Sequence, residues 1–313
     1  MSGQGVAPRL TVLIVSWNAW HHLVPCLESI LASSYRDLEI LVIDNASVDA
    51  TVEQLPRHFP QVRFVQNDRN LGHTLAVNQG FRLARGESIL VLDADTESAP
   101  DALAHLVGFL DSNPDVDVLA PRTFNTDGTI QESARNFPNL WSGIFGRQSL
   151  LTRVFPNNPF SRKYLMREAL DKTHPFRVES VASSCMLVRR SLIERVGAWD
   201  EGYPGYFVET DWCYRLKLAG VKVFCVPAAR VVHHEGNNRR RKRSVSRIVM
   251  FHRGAFRFYR RNRTLGWADP RAMFALVALT ARAGLLIAAN SLKPATGTEA
   301  PRTQRTENKD MAV

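Results

Sequence analysis

Three carboxylates stand out by position. Asp44 closes the apolar run at residues 38–43, and Asp93 and Asp95 follow the run at 88–92. An acid directly after a buried apolar strand adds nothing to core packing. On its own it serves as a turn residue or helix cap. Two such strand ends, one of them carrying Asp-Ala-Asp, favour a ligand site, because open parallel sheets bind ligands beyond the carboxyl ends of their strands. The chemistry that suits the cluster is a hard divalent cation, Mg²⁺ or Mn²⁺, held by carboxylate oxygens together with substrate phosphates. Such a cation neutralises a departing diphosphate and acts as a Lewis acid. The chain has no Walker A motif and no GxGxxG after its first strand-like run, so a glycine-rich phosphate cradle is not the device in use.

The elements that must position these acids are legible from periodicity. Residues 10–17, 38–43, 62–65, 88–92 and 116–120 read as buried strands. Residues 22–33, 51–58, 74–84 and 101–110 carry helical apolar spacing between them. Continuous apolar strands alternating with helices imply βαβ units, hence a mostly parallel, Rossmann-like α/β sheet flanked by helices. Gly72 marks a tight turn into the helix at 74–84. After Pro121 the pattern loosens. Residues 136–175, rich in Asn, Pro, Phe and Arg, read as a long excursion that suits an acceptor-side lid. Order returns with strands at 184–188 and 221–226 and helices at 191–196 and 209–219.

The chain has 313 residues, 45% hydrophobic and 22% charged, which is ordinary for a folded soluble domain. Its four cysteines form no CxxC pair, which argues against a zinc knuckle or a disulfide framework and suits a reducing compartment. The polar N-terminus shows no secretory signal. The net charge of +10 is local. Between Arg230 and Arg271 there are 13 Lys/Arg against Glu235 and Asp269 alone, so the rest is near neutral. Arg239-Arg-Arg-Lys-Arg243 leads into a helical stretch at 247–263. An 18-residue apolar run at 272–289 follows, broken only by Thr280 and Arg282. That run is marginal against the ~20 residues a bilayer span needs. It reads as a helix lying in the interface or packed on the body. A solvated charge run and a nucleic-acid surface are the rivals. The apolar stretch after the charges favours an anionic membrane surface and no nucleic acid. Residues 295–313 have the composition of a disordered tail.

Taken in order, the motifs resemble a known family. They run Val12-Leu-Ile-Val-Ser-Trp-Asn18, Val42-Ile-Asp-Asn-Ala-Ser-Val-Asp49, Asn70-Leu-Gly-His-Thr-Leu-Ala-Val-Asn-Gln-Gly80 and Leu92-Asp-Ala-Asp-Thr96. Cys185-Met-Leu-Val-Arg-Arg190, Val196-Gly-Ala-Trp-Asp-Glu201, Glu209-Thr-Asp-Trp-Cys-Tyr-Arg215 and Val231-Val-His-His-Glu-Gly236 continue the series. The likeness, over residues 10–236, is to the family 2 inverting glycosyltransferases, in their rhamnosyltransferase-like bacterial branch.

That resemblance implies a GT-A type domain at 1–236, with a nucleotide-binding half at about 8–122 and an acceptor half at about 123–236. A helical membrane-associating extension at 237–294 follows. It implies a nucleoside-diphosphate sugar donor carrying dTDP or UDP, and a glycan or lipid-linked acceptor. Ser16, Asn18 and Asn78 fall on the donor side, Asp44 at the base or ribose, and Asp93 at the ribose or phosphates. Asp95 takes the metal-ligand position. His233 matches a late histidine that reaches the metal or diphosphate, with His234 as its rival. Glu209 falls at the catalytic base, and Asp211 at a supporting acid that binds an acceptor hydroxyl or fixes the site. Val208 departs from the pattern, standing where the family has an acid. Activity at the cytoplasmic face of the cell membrane on a surface polysaccharide or glycolipid precursor follows. A nucleotidyltransferase of related architecture and a non-catalytic nucleotide-sugar or glycan-binding module are the alternatives.

Overall fold

The structure, a computed structural model, describes residues 8–138, 155, 158–169, 171–203, 205–234, 244–263 and 265–291. The basic run at 239–243, the domain boundary near 236, the tail at 295–313 and much of the excursion at 136–175 lie outside these residues.

The expected α/β sheet is present. Strands β1 (Leu10–Ser16), β2 (Leu38–Asp44), β3 (Arg63–Gln66) and β4 (Ser88–Asp93) run parallel in the order β3-β2-β1-β4. Helices α1 (Trp20–Leu31), α2 (Thr51–His58) and α3 (His73–Leu83) join them. Strands β1, β2 and β4 are apolar on both sides because both sides are covered. Leu13, Leu41 and Val91 pack with Ala76 and Phe81 of α3 on one face. Val12, Ile14, Val42 and Leu90 pack with Leu23, Leu27 and Leu55 on the other. Gly72 opens α3 at φ 84°, a backbone state that costs a side-chain-bearing residue strain.

Beyond β4 the strand order departs from chain order. Strand β5 (Thr96–Ser98), helix α4 (Ala102–Ser112), β6 (Val116–Phe124) and the short β7 (Ala134–Arg135) come next. Helix α5 (Pro159–Tyr164), β8 (Phe176–Val178), β9 (Ser180–Val181), β10 (Cys185–Arg189) and α6 (Arg190–Val196) follow. Strand β10 lies between β4 and β6, antiparallel to both, with Leu187 opposite Leu90 and Leu119. Strands β7 and β9 form a small separate sheet.

Helix α7 (Val208–Leu218) leads to β11 (Lys222–His233), which is longer than its apolar run at 221–226 suggests. It pairs with β6, shifts register between Val226 and Arg230 around Pro227, and ends antiparallel to β5. Pro lacks the N–H a central ladder needs, so it sits where pairing is already broken.

Two helices close the described chain. Helix α8 (Val245–Asn262) is capped by Ser244, whose hydroxyl accepts from the Arg247 N–H. Helix α9 (Pro270–Ser291) packs on α8, with Ala272 and Ala275 buried. The sequence suggested a helix in the interface or packed on the body. Consistent with either reading, it contacts α8 while most of its length is exposed, and Pro270–Ala289 is also long and apolar enough, by length and composition, to cross a membrane.

Because β10 fills the middle of the sheet, its core contacts cannot be rebuilt from outside. Leu187→Ala should destabilise the fold by about 2–5 kcal/mol. Urea unfolding followed by circular dichroism reads this directly.

Candidate functional site

Strand β4 delivers Asp93 to the carboxyl edge of the sheet, and the chain then reverses at once. The Thr96 hydroxyl donates to the Asp93 carbonyl at 2.7 Å, a local bond that closes the turn. The next residues form β5, and β5 pairs with the end of β11 so that His233 lies opposite Thr96. The His234 N–H donates to the Asp95 carbonyl at 2.9 Å and completes the ladder. This pairing brings one ligand atom each from Asp93, Asp95 and His233 within 4.8 Å of one another. His233 Nε2 is 3.3 Å from Asp95 Oδ1 and 3.8 Å from Asp93 Oδ2.

Which histidine faces the acids is therefore settled geometrically. His234 turns away, its Nε2 2.6 Å from Glu97 Oε1 and its ring 5.9 Å from His22. Burial pushes the Asp95 carboxyl up, but the hydrogen bond and charge of His233 outweigh it and hold the carboxyl below its ordinary value.

The tautomer of His233 is set by a chain of side chains. Asp127 accepts from the Thr129 hydroxyl at 2.6 Å, and Thr129 accepts from Asn125 Nδ2 at 2.8 Å. Asn125 Oδ1 accepts from Gln131 Nε2 at 3.1 Å, which leaves Gln131 Oε1 facing His233 Nδ1 at 2.9 Å. An amide oxygen only accepts, so Nδ1 carries the proton and Nε2 points at the two carboxylates. Nε2 then either donates a charge-assisted hydrogen bond to Asp95 or, on giving up that proton, offers its lone pair to a cation held between it and the two carboxylates. The donor set of two carboxylates and one imidazole fits a divalent cation. The imidazole favours Mn²⁺ over Mg²⁺, which prefers oxygen alone.

Ser16, Asn18 and Asp44 gather at the ends of β1 and β2, where Ser16 stands opposite Asp44. Asp44 is buried. Its carboxylate accepts from the Ser47 N–H at 2.8 Å and from the Ser47 hydroxyl at 2.5 Å. Asn18, at φ 51°, accepts from the Val48 N–H at 2.8 Å. Among the described residues the buried Ser16 hydroxyl has no hydrogen-bond partner, so it is the polar group here left to meet a ligand.

Asn78 is placed elsewhere. It is 3% exposed and grips residues 199–201: its Nδ2 donates to Trp199 O at 2.9 Å and Glu201 Oε1 at 3.1 Å, and its Oδ1 accepts from Trp199 N at 3.1 Å. With both ends of the amide so used, Asn78 acts as a clamp between α3 and this loop.

Glu209 sits in the first turn of α7, where its charge favours the helix dipole. The residue is half-buried, yet its carboxyl is surrounded closely enough that desolvation raises its pKa. Arg135 pulls the other way and Asp93 adds to the rise, so Glu209 shares its electrostatic surroundings with the metal-type cluster. Asp211 is fully buried and points into the protein. It accepts from the Tyr203 hydroxyl at 3.0 Å and from Arg215 Nε at 3.2 Å. Of its two expected roles, this geometry matches fixing the site. The N-cap of α7, Phe207, is left-handed at φ 71°, which costs a residue of this kind about 1–2 kcal/mol.

Sequence reasoning missed Gln131, Asn125 and Thr129. The composition of Asn125-Thr-Asp-Gly128 is that of a turn, and nothing local ties it to a histidine a hundred residues on. It also missed His21 and His22, whose rings are 4.0 Å apart beside His234. Two adjacent histidines at a helix start were the available signal.

Residues 11–197 match the family model described as glycosyl transferase family 2. A curated relative, the N-acetylglucosaminyl-diphospho-decaprenol L-rhamnosyltransferase of Mycobacterium tuberculosis, is 28% identical over 89% of this chain and 92% of its own. Among solved structures, a mannosyltransferase from Pyrobaculum calidifontis in complex with GDP-Man and Mn²⁺ superposes with a TM-score of 0.55 at 19% identity. The match covers 92% of this chain and 80% of that one. GalNAc-T7 with UDP, GalNAc and Mn²⁺ gives 0.56 at 22% identity over 73% of this chain, which spans 43% of that one. These likenesses show the GT-A fold.

Outer residues that orient a ligand histidine are worth about 10–100-fold in metal affinity. Gln131→Leu should weaken Mn²⁺ binding by that order, measured by isothermal titration, while the melting curve of the metal-free protein shifts little.

Proposed function

The chain belongs to glycosyl transferase family 2, and from that premise we propose that it transfers a sugar, with inversion, from a nucleoside-diphosphate sugar to an acceptor hydroxyl. The carrying observation is that Asp93, Asp95 and His233 converge within 4.8 Å in the electrostatic neighbourhood of the raised Glu209 carboxyl.

Asp93, Asp95 and His233 would hold Mn²⁺ or Mg²⁺, which when bound neutralises the diphosphate and makes it a better leaving group. Ser16, Asn18 and Asp44 border the nucleotide. Glu209 takes the proton of the acceptor hydroxyl as that oxygen bonds to the anomeric carbon. The bond from that carbon to the diphosphate breaks on the opposite side, and the nucleoside diphosphate leaves. Burial suits Glu209 to the task, because a base works best with a pKa nearer the operating pH.

The relative's name supplies the finer reading. It points to rhamnose as the sugar and to a prenyl-diphosphate-linked glycan as acceptor; the dTDP- or UDP-type donor rests on the sequence resemblance alone. A lipid-linked acceptor calls for a protein held at the cytoplasmic face of the membrane. Helix α9 supports this. Phe274, Val277 and Leu285 fall on one side of it, 66%, 68% and 72% exposed. Arg282 instead meets His252 of α8 at 3.0 Å, so the one charge in the apolar stretch is held by protein.

Two outcomes are expected. Glu209→Gln keeps donor-induced thermal stabilisation but loses about 10²–10⁴-fold in turnover; near-normal turnover removes Glu209 from the base role. The protein should float with anionic vesicles at low salt and leave them at high salt, because each Lys/Arg near such a surface adds about 1 kcal/mol. Equal flotation with neutral vesicles at either salt would contradict the charged-surface reading.

A further inference from the structure

The segment 199–207, which leads into α7 and Glu209, is gripped from two sides. On the side of the nucleotide-binding half, Asn78 holds Trp199 and Glu201, and the Thr74 hydroxyl donates to Tyr203 O at 2.5 Å. On the other side stands α8. Arg257 Nη2 donates to both oxygens of Asp200, at 3.1 and 2.8 Å, and Arg261 pairs with the same carboxylate. The Arg257 guanidinium also lies 5.1 Å from the centre of the Tyr203 ring, and Tyr203 in turn holds Asp211.

The packing is as close as backbone allows. A Cβ on Gly254 of α8 would stand 2.7 Å from the Tyr206 carbonyl oxygen, and one on Gly202 would collide with the Arg257 guanidinium. Phe207, in its left-handed state two residues before Glu209, is braced by Phe251 and Phe258 of α8, with ring centres at 5.2 and 5.8 Å. A left-handed phenylalanine persists only when its surroundings enforce it, and here α8 supplies those surroundings.

We propose that helix α8 is a positioning element of the active site, acting through Arg257 and Phe251 on the segment that presents Glu209. It rests on the role given to Glu209 above. The same helix carries the exposed apolar helix α9, so the part of the protein that meets a membrane is also the part that sets the base.

The test is a series of variants of the full chain, assayed for kcat, donor KM and Mn²⁺ affinity. Arg257→Met should lower kcat by about 10–100-fold, the cost of a small misplacement of reacting groups, with donor KM and Mn²⁺ affinity unchanged. One nitrogen makes both bonds to Asp200, so a Lys Nζ can replace it, and Arg257→Lys should recover most of the loss. Should Arg257→Met not fold, Phe251→Leu, which frees Phe207 without removing charge, should give the same fall in kcat alone. Glu209→Gln is the control. An inactive Glu209→Gln beside an Arg257→Met of normal kcat overturns this inference and spares the base assignment. A fully active Glu209→Gln overturns both. Parallel loss of kcat, donor KM and Mn²⁺ affinity, with Arg257→Lys no better than Arg257→Met, also overturns it by making Arg257 merely structural.

Discussion

Two carboxylates two residues apart in the chain, Asp93 and Asp95, repel each other unless positive charge stands between them, and the molecule is arranged to satisfy that constraint. The short pairing of β5 with the far end of β11 meets it from the protein side. It carries His233 across the sheet to Asp93 and Asp95, and the relay through Gln131, Asn125 and Thr129 fixes which nitrogen faces them. Strand β11 stays beside β6 on both sides of its register break around Pro227, and its far end takes β5 on the opposite edge.

The site is thus an assembly of three parts with different mechanical support. The side carrying Ser16 and Asp44 rests on parallel strand ends in the core. The metal-type cluster rests on an antiparallel pair at the sheet edge. The Glu209 side rests on an irregular segment that keeps its shape because α3 and α8 hold it from opposite flanks. Irregular segments need such external support, since they lack a ladder of their own. Asp211 and Tyr203 belong to that support: a buried anion is tolerated because an hydroxyl and a guanidinium meet it.

Much of this was legible in the sequence, and the reason is periodicity. The apolar runs at β1, β2 and β4 are continuous in the sequence, which is enough to put Asp44, Asp93 and Asp95 at strand ends. Gly72 read correctly as a turn into a helix. What stayed hidden depends on pairing between distant segments. Thr96–Ser98 is too short to register as a strand, and its partner lies more than a hundred residues on, so nothing local distinguished His233 from His234. Asn78 looked like a ligand contact because an amide on a helix beside the donor region is chemically apt. The structure spends that amide on Trp199 and Glu201 instead. For a related reason, composition describes helix α9 but not what covers it.

The place of β10 in the middle of the sheet bears on how the chain is made. As it leaves the ribosome, β4 and β6 are complete long before the strand that joins them. Until residues 185–189 arrive, the nascent protein carries two unpaired apolar strand edges in the middle of its future sheet. Open edges of this kind recruit wrong partners, and long-range pairings form slowly. The halves suggested by the sequence, 8–122 and 123–236, are therefore interleaved in the sheet and not separable blocks. A fragment ending after β6 would lack the strand that closes its own core.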